Sequence, residues 1–101
     1  MTREQIAAVR TLVKRHFGDD AEVWLFGSRA DDAKKGGDYD LLVETSLVQP
    51  DVIIALKIAF IAGLQSTAFF EDEKIDVVVK RRASRFELPI YSVARTEGVR
   101  L

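Results

Sequence analysis

Asp38-Tyr39-Asp40-Leu41-Leu42-Val43-Glu44 is the stretch on which the fold turns. Its Leu-Leu-Val centre is apolar at successive positions, and neighbouring residues of a strand face opposite ways. The run therefore predicts a strand buried on both faces, inside a sheet covered by helices. Residues two apart share a face, so Asp38 and Asp40 enter this strand pointing the same way. Upstream, Lys34 to Gly37 reads as a loop, because Gly36-Gly37 suits neither helix nor strand. Before it, Ser28 is placed to cap a short helix through Arg29 to about Ala33, with Asp31 at its third position. Val23-Trp24-Leu25-Phe26 is a short β-prone run that ends at Gly27-Ser28.

Further out the periodicity becomes helical. Thr2 and Gln5 form a capping box, Ile6, Val9, Leu12, Val13 and Phe17 mark one face, and Gly18 suits the stop. Downstream, Pro50 fits the first turn of a helix to about Ser66, with Ile53, Leu56, Phe60 and Leu64 facing inward. Ile75-Asp76-Val77-Val78-Val79 is the third strand. A last helix from about Arg85 to Thr96 is expected to bury Phe86, Ile90 and Val93, with Gly98 at its stop. The order αβαβαβα predicts one α/β domain over residues 1–101, a small sheet covered by helices. The order alone leaves strand direction open.

Composition narrows the functional classes. Of 101 residues, 48% are hydrophobic and 31% charged, as in an ordinary globular domain. The absence of Cys excludes disulfides and thiolate metal sites, and fits a reducing, cytoplasmic setting. The N-terminus lacks the basic head and apolar run of a signal peptide. Val52 to Leu64, interrupted by Lys57, is too short to span a bilayer. A net charge of −1 argues against direct nucleic-acid binding. Charge is uneven, however: residues 74–101 hold seven Lys or Arg against three Asp or Glu. That basic end is either a solvated face or an attraction for an anionic ligand or partner.

Three pieces carry chemistry. Gly27-Ser28 sits at a strand-to-helix turn, where Gly admits close backbone approach and the following amides favour phosphate. A turn and a cap would look the same. Asp38 and Asp40, side by side on one strand face, repel unless a cation lies between them. Hard oxygen ligands of this kind suit Mg²⁺. Asp76 interrupts an apolar strand, a costly position unless it is paired or metal-bound. Pairing with Lys74 or Lys80 is the plainer alternative. His16 has no partner ligand in the sequence, and Gly-x4-Gly-Lys-Ser/Thr is absent, so a P-loop is not supported.

Together, Leu25-Phe26-Gly27-Ser28-Arg29-Ala30, Gly37-Asp38-Tyr39-Asp40-Leu41-Leu42-Val43 and Lys74-Ile75-Asp76-Val77-Val78 resemble the nucleotidyltransferase superfamily of DNA polymerase β. Within it they are similar to the minimal nucleotidyltransferases often paired with HEPN-domain proteins. Tyr39 stands where an aliphatic residue is usual. The resemblance implies a polymerase β palm-like fold with a small mixed sheet. It implies two Mg²⁺ ions held by Asp38, Asp40 and Asp76, with Asp76 also the candidate general base. Gly27 and Ser28, with Arg29 as a further phosphate contact, would bind the nucleotide.

The expected reaction moves AMP from ATP to an acceptor hydroxyl, on a HEPN-type partner. The alternative is an antitoxin-like module that restrains such a partner by contact. A small-molecule transferase is a third reading, disfavoured because those enzymes usually carry a further substrate domain. A homo-oligomer stays open.

Overall fold

The computed structural model describes residues 1–30 and 38–101, without the side chain of Ser28. The proposed continuation of the short helix to Ala33, with Asp31, and the loop Lys34–Gly37 lie outside the described residues. Among the described residues the order is α1 (Arg3–Phe17), β1 (Glu22–Phe26), a single 3-10 turn (Gly27–Ala30), β2 (Tyr39–Thr45), α2 (Pro50–Gln65), β3 (Ile75–Arg81), α3 (Pro89–Glu97) and β4 (Val99–Arg100). The sheet order is β3-β2-β1-β4. β2 and β3 run parallel, while β1 is antiparallel to both β2 and β4. The sheet is therefore mixed, as the resemblance implied.

Helix α1 begins as its capping box dictates. Thr2 Oγ1 accepts from the Gln5 amide at 3.1 Å, and Gln5 Oε1 accepts from the Thr2 amide at 2.9 Å. Pro50 occupies the first turn of α2. Alternation along the strands then sorts the core into two layers. Val23, Leu25, Tyr39, Leu41, Val43, Ile75 and Val77 pack under α1 and α2 with Val9, Val13, Phe17, Phe60 and Leu64. On the other face, Trp24 and Leu42 pack under α3 with Tyr91 and Ala94. Leu41, Leu42 and Val43 are fully buried, which fits a strand covered on both sides. Leu56 of α2 is only partly buried.

Helix α3 departs from the expected span and buried face. The helix starts at Pro89 rather than near Arg85, and it buries Tyr91 and Ala94. Phe86, Ile90 and Val93 are exposed. Two apolar stripes compete on this helix. The one containing a large ring and a small Ala lets α3 sit close over Trp24 and Leu42. β4 is a further difference: Gly98 ends α3 and leads straight into a strand. A Cβ at Gly98 would press on the carbonyl oxygens of Leu25 and Ala94. Gly there lets the chain turn from α3 directly onto β1.

Candidate active site

The topology brings the three sequence pieces to one end of one sheet face. Asp40 and Asp76 are register partners on the parallel strands β2 and β3, and Phe26 is the partner of Asp40 on β1. Asp40 shares its strand face with Leu42, as Asp76 does with Val78, and both of those pack in the α3 layer. The carboxylates thus line the α3 side of the sheet, beyond the edge of its apolar patch. Asp38 lies just before β2, where its carboxylate meets Lys74 Nζ at 3.6 Å. Of the two lysines that the plainer alternative set beside Asp76, Lys74 pairs with Asp38. Lys80 is buried, with its ammonium 5.9 Å from the centre of the Tyr91 ring.

Gly27 closes the site from β1. Its φ is +72°, a conformation that favours glycine. A Cβ there would collide with Asp40 Oδ2. The turn that brings the backbone against the carboxylate therefore requires the residue found.

Electrostatics show the cost of this arrangement. The Asp40 carboxyl is raised above its ordinary value, first by burial, then by the charges of Asp76 and Asp38, with Lys74 opposing. Burial and the two neighbouring carboxylates outweigh Lys74, so the charged form of Asp40 is disfavoured. Oxygen donors of this kind suit Mg²⁺, and the excess negative charge fits a cation at this spot. Among the described residues, no group of three or more His, Cys, Asp or Glu side chains is placed to hold a metal ion.

Arg29, Tyr39 and His16 each make contacts within the fold. The Arg29 guanidinium lies 4.4 Å from the centre of the Tyr39 ring and 3.3 Å from Glu73 Oε2. Tyr39 belongs to the layer under α1 and α2, opposite the face that carries Asp40. These contacts link the turn after β1 to β2 and to the segment before β3. Tyr39 leaves the carboxylates undisturbed: it is buried, its ring meets Phe70 edge-on, and its hydroxyl accepts from Gln5 Nε2 at 3.2 Å. His16 bonds the Leu12 carbonyl at 2.8 Å and packs edge-on against Phe60, a structural setting.

The basic C-terminal quarter is partly neutralised by the acidic remainder. Arg82 reaches Asp20, Glu22 and Glu44 at 3.1, 3.8 and 3.5 Å. Arg95 pairs with Glu87 and Glu44, and Arg100 with Glu22. Phe70 fills the core, whereas Phe69 stays 46% exposed.

One feature was not legible in the sequence. Phe26, Gly27, Ala30, Ile90, Val93 and Glu97 line an open groove between the end of β1 and α3. It depends on which stripe of α3 faces outward.

No helix of the described residues is long and apolar enough to cross a membrane. The chain finds no match among curated proteins. Residues 6–94 match the family model of the nucleotidyltransferase domain, a span that contains Gly27, Ser28, Asp38, Asp40 and Asp76. With that match and the mixed sheet beneath these residues, the chain belongs to the nucleotidyltransferase domain family.

Proposed function

We propose that this domain transfers AMP from ATP to a hydroxyl on a HEPN-type partner protein, with Asp38, Asp40 and Asp76 as its catalytic carboxylates. The observation that carries this reading is the pairing of Asp40 with Asp76 across β2 and β3, with Gly27 against Asp40. Asp38 and Asp40 would hold Mg²⁺, and Asp76 would share the ion nearest the acceptor. When bound, the metal supplies charge neutralisation at the α-phosphoryl group and at both oxygens of an in-line displacement.

The chain's own groups do the rest. Gly27 and Ser28 would hold the β- and γ-phosphates, with the Ser28 hydroxyl the candidate donor to them. Asp76, exposed at the end of the face, takes the proton of the attacking hydroxyl. A new acceptor-oxygen bond forms to the α-phosphorus as its bond to the bridging oxygen breaks. Pyrophosphate leaves with that electron pair. Asp40 faces Asp76 and keeps the acceptor and phosphoryl sides in register.

The protein acceptor rests on the resemblance to minimal nucleotidyltransferases. The alternative, restraint of a partner by contact, is favoured by one observation: α2 turns Ile54 and Ile58 to solvent, one helical turn apart. The experiment is incubation of the chain with α-labelled ATP, Mg²⁺ and a candidate HEPN protein, with peptide mass spectrometry of both. AMP on the partner, lost in Asp76→Asn, supports transfer. A tight complex with no added mass, unchanged in Asp76→Asn, favours the contact reading.

A further inference from the structure

We infer that the groove between β1 and α3 seats the base of the nucleoside triphosphate, and that Glu97 at its rim selects a base bearing an amino group. The inference rests on the nucleotidyltransferase reading of the carboxylate face, and it names the specificity subsite of that face.

The groove encloses about 520 Å³, within the range of sites that hold small molecules. Gly27 is common to groove and carboxylates: its backbone lines the one and abuts Asp40 of the other. A triphosphate held at Gly27 therefore has its nucleoside end next to this opening. Phe26, the register partner of Asp40, contributes an aromatic side chain that is only partly buried. Ile90 and Val93, one helical turn apart on α3, form the apolar wall and remain 36% and 43% exposed. An aromatic ring on one side and branched aliphatic side chains on the other suit the flat, apolar faces of a purine.

Among the described residues, Glu97 is the one charged side chain lining the groove. An ionised carboxylate only accepts hydrogen bonds. It would accept from an exocyclic amine and oppose a base that presents a carbonyl there. A groove of similar volume runs between α1 and α2 beside Phe69. Those helices cover the opposite sheet face, so no triphosphate at Asp40 could reach it.

The test compares Mg²⁺-dependent binding, by calorimetry, of ATP, purine riboside triphosphate (ATP without its amino group) and inorganic tripolyphosphate. Wild type, Val93→Glu and Glu97→Leu are used, both substitutions at exposed positions outside the carboxylate set. ATP is expected to bind roughly tenfold tighter than the purine riboside analogue in wild type, the order of one good hydrogen bond to a charged group. Glu97→Leu should bring the two together. Val93→Glu should weaken both nucleotides about tenfold or more and leave tripolyphosphate within about twofold. Equal affinity for ATP and the analogue in wild type would overturn the role of Glu97. Unchanged ATP binding in Val93→Glu, with tripolyphosphate still bound, would overturn the base seat alone. A wild-type chain that bound neither ATP nor tripolyphosphate would overturn the nucleotidyltransferase reading itself and this inference with it.

Discussion

Gly27 and Asp40 touch so closely that no side chain fits between them: a Cβ on residue 27 would occupy the space of Asp40 Oδ2. The contact joins the end of β1 to the second residue of β2 and sets the depth of the site. Gly27→Ala meets two penalties, the positive φ and the collision. Loss of about 1–3 kcal/mol of stability is expected, a fall in Tm of several degrees for a domain this size. Activity should fall further than stability, because Asp40 must move to make room. A Gly27→Ala variant with wild-type turnover would contradict the placement of Gly27 in the site.

Asp40 should make the metal-free protein less stable as pH rises. Its carboxyl is raised in the folded state by burial and by Asp76 and Asp38, so the native state holds the proton more tightly than the unfolded chain does. The unfolded chain therefore loses its proton first. The favourable contribution is fully present below the unfolded value of about 3.8 and is lost as pH climbs through the higher folded value. In chelator at neutral pH, Asp40→Asn should melt higher than wild type, and the gap should close at low pH. Thermal melts across pH check this. A variant that melts lower at neutral pH would instead give Asp40 a structural hydrogen-bonding role.

Mg²⁺ should reverse that ranking. A cation that binds only the folded state stabilises it by mass action, about 2.7 kcal/mol at one hundred times its dissociation constant. Wild type should gain this shift in Tm, and Asp38→Asn/Asp40→Asn should gain little. Melts with Mg²⁺ and with chelator, run on both proteins, read the difference directly.

Arg82 should prove a structural residue. It bridges Asp20, Glu22 and Glu44 and also donates to the Asp20 carbonyl at 2.9 Å, tying β3 to the turn before β1. The side chain is about one-third exposed, so solvent screening limits its worth. Arg82→Met should cost on the order of 1 kcal/mol, less at high salt, with nucleotide affinity unchanged. A marked loss of ATP binding would show that the basic strand end serves the ligand after all.

Tyr39→Phe isolates the support under the site. The hydroxyl accepts from Gln5 Nε2, which also donates to the Phe69 carbonyl at 2.9 Å. Removing it should cost about 0.5–1.5 kcal/mol in unfolding experiments. Transfer activity should stay near wild type, because the Tyr39 side chain leaves β2 on the face away from Asp40 and Asp76.

Local rules were enough for much of this protein. Thr2 and Gln5 start α1, Pro50 starts α2, and Leu41-Leu42-Val43 specify a strand with no exposed face. Each needs only neighbours in sequence, since caps, turns and alternation act over a few residues. Asp38 and Asp40 were paired by the same alternation. Three things were decided by the tertiary structure. The register of β2 against β3 set Asp76 opposite Asp40, a pairing across 36 positions that no local preference encodes. The shape of the sheet face at Trp24 and Leu42 chose which stripe of α3 is buried, turning Ile90 and Val93 outward beside Gly27. The third was the fate of the charges. A sequence shows their sign and number, but only the packed chain brings Arg82 to Glu44 and Lys74 to Asp38, and leaves Asp40 among carboxylates. Ion pairs and pKa shifts depend on distance and burial, which exist only after the strands and helices have docked.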